Sequence, residues 1–493
     1  MVDKMINNMR EHSIEKIGGT SMSNYVAIRD NIIKKPVRSD TLYQRVFVVS
    51  AYGGITNGLL EHKKTGESGV YALFADSVDN DSWQRALGAV KTEMFKINDS
   101  LFTNGKPGAD ELLDGANQFL DERIEEARRV LVNIQNLCQH GHFSLGTQLA
   151  TVREMLSSIG EAHSAWNMAT LLKRDGINAC FVDLTGWQDG EHMPLDQRIE
   201  TSFNGLDLNN QLPIVTGYAH SKSGLMSSFD RGYSEMTFSR IAVLTKAKET
   251  VIHKEFHLSS ADPRLVGEIN AVPIGRTNYD VADQLANLGM EAIHPKAAKG
   301  LRYDNIPLRV KNTFEPEHAG TLITGDYVSE TPCVEIIAGC KGVFALALFD
   351  QDMAGNIEKY DSAFLSLISR FKAYIISKDV NANTITHYLH TNLKTIKRIR
   401  ESLEEDFPEA EIDQKKVAIV SAIGSDMQVP GLLAKAVNAL AEQNISVLAM
   451  HQSMRQVDMQ FVVEEQDFAC AIQSLHRHLV EAHDHGRAIK LAT

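Results

Sequence analysis

Short apolar runs that close in glycine or hydroxyl residues alternate with long amphipathic stretches along the first two-thirds of the chain. The first, Ile-Glu-Lys-Ile-Gly-Gly-Thr-Ser at 14–21, predicts a buried strand, a tight turn and a helix with apolar positions Met22, Tyr25, Val26, Ile32 and Ile33. A second strand over 45–49 stops in Ser50-Ala51-Tyr52-Gly53-Gly54-Ile55-Thr56-Asn57. Between about 70 and 140 the period becomes helical. Leu112, Phe119, Leu120, Ile124, Ala127, Leu131 and Ile134 recur among Asp121, Glu122, Glu125, Arg128 and Arg129, which predicts a helical lobe with a solvated charged face. Helical spacing resumes over 145–173, with a break expected at Ile159-Gly160-Glu161. Strands over 179–182 and 212–216 follow, then a helix over 236–246. Strands that alternate with helices and stop in small-residue loops imply an α/β sheet whose ligand edge lies at the strand ends.

The turn at 14–21 carries chemistry. Gly18 and Gly19 let backbone N–H groups approach an anion, Lys16 stands beside them, and Thr20 and Ser21 add hydroxyl donors. Further on, Arg231 offers a planar fork suited to a carboxylate, and Ser234-Glu235 begins a helix. Glu161, after a glycine, is placed to face a cleft. No Gly-x-x-x-x-Gly-Lys-Ser/Thr occurs, so the phosphate site is not a P-loop.

Composition narrows the partners. A formal charge of -13 on 493 residues argues against nucleic acid and anionic membrane, both of which need a basic face. The 5 cysteines form no Cys-x-x-Cys pair, which fits reduced thiols in the cytoplasm, and no apolar run reaches the ~20 residues of a membrane span. His476, His478, His483 and His485 read as a solvated tail rather than a metal tract.

Taken in order, the motifs resemble the aspartate kinase family. Lys-Ile-Gly-Gly-Thr-Ser is similar to its Lys-Phe-Gly-Gly-Thr-Ser. Val-Ser-Ala-Tyr-Gly-Gly-Ile-Thr-Asn, Gly160-Glu161, Arg231-Gly232-Tyr233-Ser234-Glu235, Asp262-Pro263-Arg264, Ile293-His294-Pro295 and Gly320-Thr321-Leu322-Ile323 follow in the family's order. The resemblance implies an amino-acid-kinase (carbamate-kinase-like) αβα sandwich over 14–325, after a polar tail at 1–13. It implies transfer of the ATP γ-phosphoryl group, with Mg²⁺, to the β-carboxylate of L-aspartate, giving 4-phospho-L-aspartate. By the same resemblance Lys16 and Glu235 are catalytic, and Ser50, Thr56, Glu161, Arg231 and Ser234 hold aspartate. Lys16, Gly18, Gly19, Ser21, Lys254, Glu255, Ser259, Arg264 and Glu291 would hold the nucleotide. No resident metal site is implied.

Departures from the pattern mark a divergent branch, similar to aspartate kinases encoded with ectoine genes. Glu235 stands where an aspartate is usual, His253-Lys254-Glu255-Phe256 where Trp-Thr-Asp-Val is usual, and Glu291 replaces a lysine whose charge Lys254 would restore. After a polar linker at 326–332, two strand-helix-strand-strand-helix-strand units are expected over 333–410 and 415–482, with a tail at 483–493. They resemble two ferredoxin-like ACT modules, which implies an amino-acid effector and a homodimer or homotetramer. Two other readings stay open at this point: another amino-acid kinase, and a decayed kinase acting as an amino-acid-binding regulatory module.

Overall fold

A computed structural model describes residues 11–35, 42–63, 65–76, 81–103, 108–140, 142–189, 193–222, 224–226, 232–290 and 292–481. The chain divides into two compact units: Met1–His257 with Ile293–Thr324, and Leu258–Ala292 with Gly325–Thr493. The stretch 258–292, expected within the catalytic domain, thus packs with the C-terminal unit.

In the first unit, strands β1 (Ser13–Ile17), β2 (Arg45–Val49), β3 (Ala179–Val182), β4 (Leu212–Thr216), β5 (Glu249–Lys254), β6 (Leu308–Asn312) and β7 (Thr321–Thr324) lie in the order β3-β4-β2-β1-β5-β6-β7. Every pairing from β3 to β6 is parallel, and β7 runs antiparallel to β6. Burial on both faces explains the near-continuous apolar runs of β2 and β4. Long helices α1 (Ser82–Phe102) and α2 (Ala109–Cys138) form the expected lobe, and α3 (Leu149–Arg174) packs between α2 and strands β3 and β4.

The expected break at Gly160 is absent, because α3 runs straight through it. Gly160 is instead a point of close approach, where a Cβ would come within 2.8 Å of Ala51 Cβ and 3.2 Å of Ile55 Cγ2. It lets the helix lie against the loop after β2.

Buried charge stiffens the sheet beneath the turn. Glu15 accepts from Arg45 Nε at 2.6 Å and Nη2 at 3.0 Å and pairs with His253 Nε2 at 2.7 Å, while Arg45 also donates to the carbonyls of Ile32 and Ile33. Burial pushes the Glu15 carboxyl up, but Arg45 and His253 outweigh it and hold it well below the carboxylate range.

The second unit has one antiparallel sheet of β8 (Ile336–Phe349), β9 (Tyr374–Val380), β10 (Thr384–His390), β11 (Glu411–Ile423), β12 (Ala449–Gln452) and β13 (Asp458–Glu464), ordered β9-β10-β8-β11-β13-β12. The runs expected as separate strands at 334–337 and 343–349 are one strand, paired with β11 throughout. Gly342, at φ +73°, accommodates the register shift between them.

Two cores flank this long pair. Phe344, Leu346 and Leu348 of β8 pack with Tyr360, Phe364, Ile396 and Ile399 from helices Ile357–Arg370 and Leu393–Asp406. Ile337, at the other end of β8, packs with Ala436, Leu440, Phe468, Ile472 and Leu475 from helices Leu432–Ala441 and Phe468–Leu479. The two modules are therefore interleaved, the second taking a strand from ahead of the first.

His476 corrects the reading of a solvated tail. It is fully buried, with Nε2 2.9 Å from Ser260 Oγ and Nδ1 2.8 Å from Glu481 Oε1, because it falls one helical turn after Ile472 on the packed face. His483 and His485 lie outside the described residues. All five cysteines are free thiols, and among the described residues no helix is long and apolar enough to cross a membrane.

Candidate active site

Parallel register brings the ends of β1, β2, β4 and β5 to one edge: Ile17 lies opposite Val49 and His253, and Val49 opposite Thr216. The turn after β1 and the loops after β2 and β4 follow directly. Ser50 N–H donates to Ile17 C=O at 3.2 Å and Gly217 N–H to Val49 C=O at 3.0 Å. Gly19 is required here, since a Cβ would sit 2.7 Å from Ala51 C=O.

Lys16 is nearly buried and its Nζ lies 3.0 Å from Glu235 Oε1. Glu235 occupies the first turn of α4 (Tyr233–Thr245), and its other oxygen accepts the N–H of His294, which caps α5 (Pro295–Tyr303). Burial pushes the Glu235 carboxyl up, yet Lys16, Lys254 and the His294 N–H outweigh it and keep it below its ordinary value. A glutamate thus bridges two points that hold the lysine in place. The His294 ring meets Gly232, where a Cβ would come within 2.5 Å of Cδ2.

Glu161 lies in α3, 1% exposed, with Oε1 accepting from Ser234 Oγ at 2.8 Å. Oε2 is buried and has no hydrogen-bond partner among the described residues. It stands 3.1 Å from where a Cβ on Gly217 would be, so the missing side chain leaves it room. Burial, against Ser234 and the charge of Lys16, pushes the Glu161 carboxyl up to about 8. An orphaned carboxylate oxygen of this kind suits a cation that arrives from outside.

The remaining residues read from the sequence divide by place. Ser21 donates from both N and Oγ to Glu255 Oε1 at 2.8 Å, which ties the glycine turn to the end of β5. Lys254 ends β5 and acts electrostatically on Glu235. Ser50 is half-buried, its carbonyl held by Ser164 Oγ at 2.8 Å, and Thr56 begins the helix Ile55–Leu59. Ser259 and Arg264 fall in the second unit. There Ser259 Oγ donates to Ala261 C=O at 2.7 Å, and Arg264, its side chain 89% exposed, forks onto Asp262. Arg231 and Glu291 lie outside the described residues.

Sequence reading gave no role to His294, Gly217 or Ser164. The His-Pro dipeptide before a helix was the available signal for the first; the other two act through backbone and packing and leave none. A cavity of about 390 Å³ behind Tyr218, lined by Glu154, Met155, Trp187 and His220 among others, contains none of the residues read from the sequence. The site is therefore placed by convergent charge rather than by cavity size.

Comparison with known proteins agrees with this geometry. Residues 13–312 match the amino acid kinase family and residues 420–479 an ACT domain. The chain belongs to the amino acid kinase family. It is 54% identical over 481 residues to the aspartate kinase Ask_Ect of Stutzerimonas stutzeri, covering 98% of this chain and 100% of that one. Within the family it falls among the aspartate kinases. The fold is shared with E. coli aspartokinase III solved with aspartate and ADP (TM-score 0.68, 20% identity, 95% of this chain and 100% of that one). It is shared equally with the same E. coli protein solved with lysine and aspartate (TM-score 0.68, 18% identity, 95% and 99%).

Proposed function

We propose that this aspartate kinase joins its substrates over the Lys16–Glu235–Glu161 cluster. The aspartate ammonium meets Glu161 Oε2, with Ser234 fixing the other carboxylate oxygen, and Arg231 takes the α-carboxylate. Ser50 and Thr56 border the substrate. Its β-carboxylate then faces the γ-phosphorus of ATP. A carboxylate oxygen forms the new P–O bond as the bond to the β-phosphate oxygen breaks, ADP leaves with that electron pair, and no proton transfer is needed. The two reactants are both anions, so charge compensation and alignment carry most of the rate. Lys16 supplies the charge, and Glu235, gripped by His294 N–H, keeps its ammonium aimed. Gly18, Gly19 and Ser21 form the phosphate cradle, with Lys254 and Glu255 at the end of β5 as further nucleotide contacts.

Mg²⁺ would accompany the nucleotide and offset its phosphate charge. Phosphate oxygens and water would be its principal ligands, as is usual for Mg²⁺ carried on a nucleotide. The likeness to Ask_Ect supports an ectoine-linked branch of the aspartate pathway. The ACT region, and the E. coli relative solved with lysine and aspartate, support control by an amino acid; a homodimer or homotetramer is part of the same proposal.

The observation that carries the reading is the buried, unpartnered Glu161 Oε2 sharing one electrostatic neighbourhood with Lys16. Hydroxylamine trapping tests it: purified, folded chain with aspartate, ATP and Mg²⁺ forms aspartyl hydroxamate, and Glu161→Gln does not. Absence of hydroxamate from the wild type would refute it.

A further inference from the structure

Strands β5 and β6 run parallel with Lys254 opposite Asn312, and the next residue of each reaches the same partner in the glycine turn. Glu255 accepts both Ser21 donors, and Thr313 Oγ1 lies 3.2 Å from Ser21 Oγ. The two strand ends are also joined to each other, Thr313 N–H donating to Lys254 C=O at 2.8 Å. One residue beyond these contacts stand Phe256 and Phe314, 64% and 47% exposed. A single exposed ring is unremarkable in a folded protein. Two at adjacent strand ends, each following a residue bonded to the phosphate cradle, offer a paired apolar lip at this edge.

Spacing and chemistry say what the lip fits. Two inter-strand steps separate β1 from β6, about 10 Å, which is about the reach from a nucleotide's terminal phosphate to its base. The base is the one part of that ligand with large apolar faces, and aromatic rings stack on them. The neighbouring Asn312 amide is held in place, its oxygen by Phe314 N–H and one nitrogen donor by Glu315, so the rings offer a base the larger surface here.

We propose that Phe256 and Phe314 form the stacking platform for the purine base of the nucleotide co-substrate. The inference rests on the kinase reading above and deepens it: the glycine turn takes the phosphates, the two rings take the base. Recognition by stacking, without a hydrogen-bonded base edge, accepts adenine and guanine alike and favours both over the smaller pyrimidines.

Calorimetric titration of the full chain tests this without turnover, with Mg²⁺-ADP as the nucleotide and inorganic tripolyphosphate as a probe that lacks a base. Phe256→Ala and Phe314→Ala each weaken ADP about tenfold and leave tripolyphosphate unchanged, while Phe256→Trp restores ADP. GDP binds like ADP, and UDP more weakly. Both rings are exposed, so unchanged thermal melts are expected of the variants. Unchanged ADP affinity, or a parallel loss of tripolyphosphate affinity, would overturn the platform. Wild type that binds ADP in this ring-dependent way yet forms no aspartyl hydroxamate would support the platform and reject aspartate as acceptor.

Discussion

Glu161 sets a pH dependence whose sign follows from its burial. In the free protein its carboxyl titrates at about 8, yet an ammonium needs the carboxylate. Below pH 8 aspartate must displace a proton in order to bind, so its apparent KM rises as pH falls. For a single group at about 8, one proton lost per binding event gives a change of about tenfold between pH 9 and pH 7. Stability runs with the same group. A carboxyl raised from 4.5 to about 8 on folding binds more protons in the native state across that window. Its contribution to stability is thus fully present below pH 4.5 and lost as pH rises through 8. The full difference is on the order of 5 kcal/mol. Glu161→Gln cannot ionise, so it should lose activity yet resist urea better than wild type at pH 9, an advantage that shrinks towards pH 5. The assays are initial rates against aspartate at saturating ATP from pH 7 to 9, and urea unfolding at pH 5 and 9. A flat KM, or a Gln variant no more stable than wild type at pH 9, would refute the reasoning.

Other outcomes follow from the same geometry. Glu235→Asp, one methylene shorter, cannot span Lys16 and His294 N–H together, and kcat should fall about a hundredfold in protein that remains folded by thermal melt; wild-type kcat in this variant would remove Glu235 from the positioning of Lys16. Gly232→Ala places a methyl group within 2.5 Å of the His294 ring, so it should lower kcat/KM for aspartate, and full activity would show that the ring moves aside freely. Arg45→Met leaves Glu15 charged and buried with only His253 and the Ser13 hydroxyl as partners, at a cost of roughly 3–5 kcal/mol by urea unfolding. A loss below 1 kcal/mol would mean that the network relaxes around the gap.

The proposed phosphate-binding end was legible in the sequence because it is local. A strand, two glycines and two hydroxyls are consecutive, and the physical need for a bare backbone near an anion is written in residue type. The pairing of Lys16 with Glu235 spans 219 positions, and pattern alone could not supply it; resemblance to a family named both residues but did not pair them. Gly160 shows the limit in the other direction. A glycine in an amphipathic run reads as a break, and only the loop packed against it reveals a helix that needs a bare face there. His476 misled for the same reason, since the face of a helix that becomes interior depends on what docks on it.

Apolar period and glycine position by themselves determined the α/β class, the helical lobe and the strand and glycine turn at 14–21, because each is a property of neighbours in the chain. Tertiary structure alone decided that residues 258–292 pack with the C-terminal unit, that β8 and β11 run through both regulatory modules, and that one oxygen of Glu161 is buried with no hydrogen-bond partner among the described residues. Burial and long-range pairing are sums over residues far apart in sequence. The raised Glu161 carboxyl, on which the proposed chemistry turns, exists only once those residues have closed around it.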